Sequence, residues 1–236
     1  MIVLAIPSKG RLMEATAAWF ADRGVRLTRT GPAREYAAEV EGADGVALQL
    51  LSASEIPGAL AAGRVHLGVT GSDLVREGLA DWAERSTELA RLGFGHADLV
   101  VAVPDFWTDC RTLGDLDAVA GQFRAVHGRR MRIATKYHRL VREHLRAAGV
   151  ADYVLIDSQG ATEGTVANGA AEAVADITSS GATLRDNHLR VLDGEPIHRS
   201  EATLFRSLRA PWGDAERAAL DGLAGTLGIG DGPPRA

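Results

Sequence analysis

The chain has 236 residues and a formal net charge of −5, and its apolar content of 46% is ordinary for a globular protein. This length is sufficient to bury a large core, either in one large domain or in two smaller lobes. The negative charge argues against bulk nucleic-acid binding. No apolar stretch approaches the roughly 20 residues that a membrane-spanning helix needs.

The single cysteine, Cys110, excludes an intrachain disulfide and a thiolate metal cluster. It lies in a polar segment with no evident base beside it, so we do not expect it to be a nucleophile. The segment from Met1 to Pro7 is too short and lacks the basic start of a signal peptide, and it predicts a buried strand. These features together predict a cytoplasmic protein.

Strand and helix patterns alternate along the chain. Strands are predicted at 2–6, 46–51, 65–69, 99–103, 131–134, 154–156, 173–177 and 202–208, and helices at 12–23, 54–63, 137–148 and 214–227, with another beginning at 70–73. Ser54 is the predicted cap of the second helix. The alternation predicts an α/β protein with mainly parallel sheets. Ligands of such proteins bind beyond the carboxyl ends of the strands.

The strand at 173–177 leads into a loop that is typical of phosphate binding. Asp176 stands near the end of the strand, and small or hydroxyl-bearing residues follow: Thr178, Ser179, Ser180, Gly181, Ala182 and Thr183. Such a loop presents N–H and hydroxyl groups to a phosphate, and its glycine allows a close turn. The acid suits ribose hydroxyls or a magnesium-bound water. The alternative interpretation is a Ser/Thr-rich turn that caps a helix at Thr183.

The order of these residues resembles a 5-phosphoribosyl 1-pyrophosphate (PRPP) loop. The common form of that loop has two adjacent acids, whereas here Ala175 stands at the first of these positions. The resemblance on this loop alone is therefore partial.

Two other turns follow predicted strands. Lys9, Gly10 and Arg11 open the first helix, and two cations at a helix N-terminus favour an anion such as a triphosphate. A solvated turn is the alternative. The second turn is 70–73, with Thr70, Gly71 and Asp73 as candidates. Asp73 is equally well explained as an acid in the first turn of a helix.

Two isolated residues are further candidates. Arg34 stands in a segment without clear periodicity and is either a phosphate ligand or a solvated charge. Glu163 follows the strand at 154–156 and either binds a ribose or an amine, or only opens a helix. His138 and His144 are six positions apart on one helix and do not share a face, so they do not form a metal site.

Five segments together resemble the ATP phosphoribosyltransferase family and occur in the family's order. They are 5–12 (AIPSKGRL), 55–57 (EIP), 67–73 (LGVTGSD), 132–137 (RIATKY) and 176–187 (DITSSGATLRDN). The blocks are scattered between about Ile2 and Phe205. Their joint order is far more specific than any one of them.

The resemblance implies a fold of two α/β lobes joined by a hinge, similar to periplasmic binding proteins, with the active site in the cleft between the lobes. Lobe one would comprise residues 1–95 and 184–236, and lobe two residues 96–183. The implied reaction is attack by N1 of the ATP adenine on C1 of the PRPP ribose, with release of pyrophosphate. It is the first step of histidine biosynthesis.

The resemblance also implies roles for the candidate residues, with Mg²⁺ as the cofactor. Residues 178–183 would bind the 5-phosphate of PRPP. Asp176 and Glu163 would bind ribose hydroxyls or magnesium-bound water. Polyphosphate contacts are assigned to Lys9, Gly10, Arg11 and Arg34, and a lining role to Thr70, Gly71 and Asp73. No covalent nucleophile and no direct protein ligand of the metal are expected.

The chain has no room for the regulatory domain of the long-form enzyme, so the resemblance is to the short form. Short-form enzymes act with a separate regulatory subunit related to histidyl-tRNA synthetases, and we expect a hetero-oligomer without nucleic acid or membrane partners. The main alternative is a cytoplasmic two-lobed protein that binds small anions without catalysis, because fold alone does not decide function. An enzyme of another PRPP-dependent pathway is a second alternative, which the lone acid at Asp176 disfavours.

Three segments depart from the family pattern, and one of them, 164–169, is more polar and has smaller residues than the family norm. The family usually has a basic residue a few positions before Glu55, whereas Ser52 and Ser54 stand there. The strand before the PRPP loop usually carries a Leu-Ala-Asp run, and here the sequence is Ala-Ala-Glu at 170–172.

Overall fold

The structure is a computed structural model that describes residues 1–29, 38–158 and 160–230. It divides the chain into two compact units. The first unit contains Met1–Gly95 and Glu201–Ala236, and the second contains His96–Ser200. None of the helices in these described ranges combines the length and the apolar character that crossing a bilayer requires.

The elements of the described residues are numbered in chain order. The strands are β1 (Ile2–Pro7), β2 (Arg26–Arg29), β3 (Ala38–Glu41), β4 (Val46–Leu51), β5 (Leu67–Gly71), β6 (Ser86–Arg91), β7 (Ala97–Pro104), β8 (Met131–Thr135), β9 (Tyr153–Asp157), β10 (Ala173–Thr178), β11 (Leu189–Val191), β12 (His198–Ser200) and β13 (Ala202–Ser207). The helices are α1 (Gly10–Ala21), α2 (Ile56–Ala61), α3 (Ser72–Gly78), α4 (Trp82–Arg85), α5 (Leu113–His127), α6 (His138–Ala147), α7 (Gly164–Ala167), α8 (Ala182–Asp186) and α9 (Asp214–Leu227).

The first unit is built on a sheet with the strand order β4-β1-β5-β13-β6. Strand β1 pairs in parallel with β4 and β5, whereas β13 is antiparallel to β5 and β6. Strand β1 is buried on both faces because apolar residues run almost without interruption from Ile2 to Ile6. The carboxyl ends of β1, β4 and β5 therefore lie at one edge of this sheet.

The second unit has a sheet with the order β11-β7-β10-β8-β9, and β12 also pairs with β7. Strands β10, β8 and β9 are parallel to one another, and β7 is antiparallel to β10, β11 and β12. Buried small and branched side chains, including Ala102, Ala134 and Val174, fill the core on one face of the sheet. The carboxyl ends of β8, β9 and β10 share one edge.

The α/β class is confirmed, but the expectation of mainly parallel sheets is only partly right because both sheets are mixed. The strands that break the parallel order are β7 and β13. Ala202 of β13 pairs with Gly71 of β5, and Leu99 of β7 pairs with Ile177 of β10. Strand β13 therefore begins near the end of β5, and β7 begins near the end of β10. Each then runs back across its sheet in the opposite direction.

The first boundary between the units lies between residues 95 and 96. The return to the first unit lies between 200 and 201, rather than between 183 and 184. The reason is strand pairing, since Arg190 of β11 pairs with Val103 and Arg199 of β12 pairs with Asp98. Both short strands extend the second sheet, and local sequence does not reveal this.

Two predicted helix caps differ from the structure. Ser54 is not the cap of α2, which begins at Ile56 with Glu55 in the N-cap position. The Glu55 carboxylate accepts the Ser52 N–H at 3.0 Å, and this bond lowers the pKa of Glu55. The Ser/Thr-rich turn does lead into a short helix, α8, in which Gly181 occupies the N-cap position and Thr183 lies inside the helix.

Candidate active site

The loop after β10 is held as a tight turn by its own hydroxyl groups. The Thr178 hydroxyl oxygen accepts the Gly181 N–H at 2.8 Å, and the Ser180 hydroxyl oxygen accepts the Ala182 N–H at 3.3 Å. Ser179, Ser180, Ala182 and Thr183 are exposed. The loop is therefore shaped before any ligand arrives, and four of its residues are exposed to solvent.

Gly181 is required by the geometry of this turn. Its φ of +71° lies in the left-handed region, which side chains other than glycine's rarely tolerate. A Cβ atom at this position would also lie 2.8 Å from Arg185 Nη1, which donates to the Ser180 carbonyl oxygen at 3.0 Å. The backbone conformation therefore selects glycine, whereas the flexible end of the Arg185 side chain could shift to make room.

Asp176 stands at the start of the loop with its carboxylate partly buried. Its Oδ1 atom accepts the N–H of the next residue, Ile177, at 2.8 Å, and its side chain is 14% exposed. The same oxygen lies 3.9 Å from Nζ of Lys136, which immediately follows β8. The structure thus brings a lysine to the loop that sequence reasoning did not assign. The only signal was its position directly after a predicted strand, inside the segment 132–137.

Glu163 follows β9 and occupies the N-cap position of α7, where it is half-buried. The segment before it is fixed by Thr162, which is fully buried and accepts a hydrogen bond from the Ser158 hydroxyl at 3.1 Å. Because β8 lies between β9 and β10, the ends of β9 and β10 are about 10 Å apart. Glu163 lies in the segment after β9 and Asp176 near the end of β10, so both belong to the edge where these strands end.

In the first unit, the turn after β1 presents two exposed cations at the start of a helix. Lys9 is the N-cap residue of α1, Gly10 has a φ of +79°, and Lys9 and Arg11 are both exposed. No acidic residue stands in the first turn of α1. Within the described residues, neither cation has an ion-pair partner, so the positive end of the helix dipole and both charges are open to an anion.

The turn after β5 is more buried than the turn after β1. Thr70 is fully buried, and its hydroxyl donates to the Ala53 carbonyl oxygen at 2.8 Å. Asp73 is only 6% exposed, whereas Gly71 is half-exposed at the N-cap of α3. The Thr70 hydroxyl is therefore engaged in holding the segment after β4 against β5, and Gly71 is the most accessible of the three predicted residues.

Three other sequence features concern Arg34, the pair Ser52 and Ser54, and Cys110. Arg34 lies outside the described residues. Ser52 and Ser54, which stand where a cation was expected, have their hydroxyl oxygens 3.1 Å apart. Cys110 is buried, and burial, together with the Asp115 carboxylate, raises the pKa of its thiol.

The predicted site residues thus form two sets, one in each unit. The first-unit set follows β1 and β5, and the second-unit set follows β8, β9 and β10. Both stand where parallel strands end, which is the position expected for a ligand site. Among the described residues, no group of three or more His, Cys, Asp or Glu side chains is placed to hold a metal ion.

Comparison with known proteins gives one consistent result. A family model described as ATP phosphoribosyltransferase matches residues 52–225. The ATP phosphoribosyltransferase of Cereibacter sphaeroides is 66% identical over 212 residues, which cover 90% of each chain.

Solved structures show the fold. The ATP phosphoribosyl transferase (HisG:HisZ) complex from Thermotoga maritima contains a chain with a TM-score of 0.71 and 21% identity, with 97% of this chain and 99% of that chain covered. The alkanesulfonate-binding protein SsuA from Xanthomonas axonopodis pv. citri has a TM-score of 0.52 and 16% identity, with 96% of this chain and 71% of that chain covered. The fold is therefore shared with a solute-binding protein.

Proposed function

Because the chain belongs to the ATP phosphoribosyltransferase family, we propose that the two sets of residues at its strand ends are the substrate sites of that reaction. The family joins ATP to PRPP, which gives N1-(5-phosphoribosyl)-ATP and pyrophosphate in the first step of histidine biosynthesis. The observation that carries the site assignment is the preformed turn at 178–183. That both sets act on one pair of substrates stays a prediction from the family resemblance.

The turn at 178–183 is proposed to bind the 5-phosphate of PRPP. In the free protein, Thr178 and Ser180 accept the N–H groups of Gly181 and Ala182. A phosphate has stronger acceptor oxygens than a hydroxyl, and charge-assisted hydrogen bonds are the stronger type. The phosphate therefore takes over these N–H groups, and the hydroxyls turn to donate to it.

Asp176 and Glu163 are proposed to bind the ribose. Each is a carboxylate at the edge that carries the phosphate turn, and their strands are two strand spacings apart. The partly buried Asp176 is oriented by the Ile177 N–H, so its second oxygen, Oδ2, is the one available to a hydroxyl group. Hydrogen bonds from the ribose hydroxyls to these acids fix the sugar and leave C1 accessible.

Lys9, Gly10 and Arg11 are proposed to bind polyphosphate. The exposed cations and the free N-terminal N–H groups of α1 supply positive charge without a competing acid. Gly71 presents backbone beside this turn because β5 and β1 are neighbours in the sheet.

The chemistry requires no covalent enzyme intermediate. The lone pair of adenine N1 forms the new bond to C1, and the electrons of the C1–O bond leave with pyrophosphate. The protein's task is to align the two substrates, which can contribute about 7–11 kcal/mol, and to stabilise the charge that develops on the leaving group.

The family generally uses a metal ion, and we propose Mg²⁺ for this chain. Mg²⁺ usually keeps several waters and is bound through substrate phosphates with one or two carboxylates. Asp176 and Glu163 are the residues that would contact its water ligands. When bound, Mg²⁺ supplies charge neutralisation at the diphosphate.

The test of the function is pyrophosphate release by the purified chain in the presence of Mg²⁺, PRPP and ATP. Release that requires all three components, with formation of phosphoribosyl-ATP, is the expected result. A two-lobed anion-binding protein without catalysis would bind one substrate in a titration and release no pyrophosphate. That outcome would replace the proposed activity with the alternative.

We further propose a separate regulatory subunit that resembles a histidyl-tRNA synthetase. The chain covers 90% of the Cereibacter relative, and the structurally similar Thermotoga protein is described as a HisG:HisZ complex. Both observations support a short-form enzyme. The expected result is that histidine inhibits strongly only after such a subunit is added, in a titration of pyrophosphate release. Equal histidine inhibition of the isolated chain would place an effector site in this chain instead.

We also propose that the chain acts in the cytoplasm, where ATP and PRPP are made and consumed. Fractionation of cells that carry the tagged chain checks this, and the expected location is the cytosolic fraction. Recovery with the membrane or in an extracellular fraction would contradict it.

A further inference from the structure

The phosphate turn of the second unit has little positive charge of its own. Residues 178–183 contain no lysine or arginine. The cation beside this turn is the exposed Arg185, whose Nη1 donates to the Ser180 carbonyl oxygen at 3.0 Å. PRPP carries phosphate at both ends of the ribose, and the diphosphate at C1 must leave with additional negative charge. A cation near this edge would stabilise that charge.

Lys136 is placed to supply this charge. Strand β8 is the parallel neighbour of β10, and the register pairs Ala134 with Val174. Counting two residues further along each strand puts Lys136 level with Asp176, at the beginning of the turn. The diphosphate end of PRPP belongs at this position, because the 5-phosphate is assigned to the turn itself.

The backbone around Lys136 is fixed by buried neighbours. Thr135 is fully buried, and its hydroxyl oxygen accepts the Tyr137 N–H at 2.9 Å. Tyr137 is 1% exposed, whereas the Lys136 side chain is 41% exposed. Of residues 135–137, only Lys136 thus has a side chain that reaches into solvent. Its backbone is fixed by the two buried neighbours.

The ammonium group of Lys136 lies near Asp176 and Tyr137, but its hydrogen-bond donors are not used by any described residue. Its Nζ lies 3.9 Å from Asp176 Oδ1, beyond hydrogen-bond distance, and 5.3 Å from the centre of the Tyr137 ring. An ammonium has three donor protons, and within the described residues Lys136 makes no side-chain hydrogen bond. All three donors remain for an incoming anion.

We propose that Lys136 is a substrate-binding residue that contacts the C1 diphosphate of PRPP, and this inference rests on the proposed function. In the free protein, Asp176 holds the ammonium near the site. On binding, Asp176 turns to the ribose and Lys136 donates to a diphosphate oxygen. When the C1–O bond breaks, its electron pair moves onto the diphosphate, and the ammonium stabilises that charge.

The test compares Lys136→Met with the control Arg142→Met. Arg142 is an exposed cation on α6 of the same unit without a side-chain partner among the described residues, so both variants lose one charge and keep an unbranched stem. Calorimetric titration should show about tenfold or greater weakening for PRPP and for pyrophosphate with Lys136→Met, and no change with Arg142→Met. Affinity for ribose 5-phosphate should stay within about twofold, because it lacks the diphosphate. Thermal unfolding of both variants checks that the fold is kept.

A double-variant cycle separates direct contact from an effect through Asp176. In the Asp176→Asn background, Lys136→Met should still weaken PRPP binding by a similar factor. If the second substitution has no effect there, Lys136 acts only by positioning Asp176, and the inference is overturned. Equal weakening for ribose 5-phosphate would also overturn it, since the contact would then be to the 5-phosphate. Failure of the wild-type chain to bind PRPP would contradict the proposed function itself, whereas wild-type binding with an unaffected Lys136→Met variant would contradict this inference alone.

Discussion

The phosphate turn of the second unit and the turn after β1 in the first unit are both assigned to phosphate groups, but they are built in different ways. The turn at 178–183 has a fixed shape, with hydroxyl groups that hold its N–H donors and a glycine in the left-handed region. The turn at 8–11 has two exposed cations at a helix N-terminus that lacks acids. One anion site therefore depends on backbone shape and the other on charge.

This difference follows from what each phosphate does in the reaction. The 5-phosphate stays attached to the sugar and serves as a handle, so precise geometry is most valuable there. Polyphosphate groups carry several negative charges and gain most from positive potential. The comparison predicts that substitutions which alter backbone shape should weaken phosphate binding most at the turn of the second unit. It also predicts that added salt should weaken phosphate binding most at the turn of the first unit.

The largest effect is expected for Gly181→Val. Valine at a φ of +71° is strained, and its Cβ would approach Arg185 Nη1 to 2.8 Å. The turn must then change shape, and kcat/KM for PRPP should fall about a hundredfold, or about 2.7 kcal/mol. Steady-state kinetics and a PRPP titration measure the change.

Gly128→Val is the matched control, because Gly128 ends α5 with a φ of +66° and has no neighbouring atom within 4 Å of an added Cβ. Its backbone strain is similar, but it lies away from the phosphate turn. If both variants lose PRPP affinity equally, the effect is general destabilisation and the shape-based assignment is wrong.

The parts of the fold that depend on continuous local patterns could be predicted from sequence. Strands β1 and β4 and helix α9 lie within one residue of their predicted bounds, since each has an apolar run or a clear helical period. Helix α5 was missed because only Leu116 and Ala120 of its residues are buried and two glycines interrupt it. Strand β6 was missed because Glu88 and Arg91 interrupt its apolar pattern.

The same limit applies to the candidate site. The turn at 178–183 is a short continuous motif, so it could be found in the sequence. The position of Lys136 beside Asp176 depends on the pairing of β8 with β10, whose residues are about 40 positions apart in the chain. The residues near Lys136 in the chain do not indicate which strand β8 pairs with. For the same reason, the assignment of β11 and β12 to the second unit emerged only from the structure.

The shape-based site should also depend on the stability of the unit that holds it. Glu172 precedes β10, and its carboxylate accepts hydrogen bonds from Arg132 Nη2 at 2.6 Å and Arg129 Nη2 at 3.1 Å. Burial favours the neutral acid, but the bonds from both arginines outweigh it and lower the pKa of Glu172 from 4.5 to about 2. This pair of contacts fastens the beginning of β10 to β8.

A lowered pKa gives a defined pH dependence. The contribution of Glu172 to stability is complete above about pH 4.5 and is lost as the pH falls toward 2, and it is at most about 3 kcal/mol. Glu172→Gln should lower the free energy of unfolding at pH 7 by about 2 kcal/mol and flatten its decline in acid. Urea unfolding between pH 7 and 3 measures both. Glu143→Gln, which removes an exposed helix pair with Arg139, is the control, and an equally steep acid decline in Glu172→Gln would contradict the assignment.

The charge-based site can be tested with the double variant Lys9→Met, Arg11→Met. Removal of both cations should weaken ATP binding about tenfold at low salt and reduce the salt dependence of the affinity, because screening acts on exposed charges. Gly181→Val should leave this salt dependence unchanged. Arg26→Met removes an exposed cation from β2 of the same unit and is the control. If the salt dependence of ATP binding is the same in the double variant and the wild type, the cations at 9 and 11 do not contact polyphosphate.

An effect of similar size is expected for Asp176→Asn, a residue that contributes both to the shape of the turn and to its charge. Asparagine keeps the size of the side chain, and its carbonyl oxygen can still accept the Ile177 N–H, so the turn should survive. Only the charge is lost, and with it the ion pair to Lys136 and the strongest acceptor for ribose hydroxyls. We expect kcat/KM for PRPP to fall about tenfold, or about 1.4 kcal/mol, with the affinity for ATP unchanged. Asp157→Asn is the sharpest control, because Asp157 ends β9 at the same edge and is exposed. An equal fall in both variants would mean that the general potential of this edge matters, and not the contact made by Asp176.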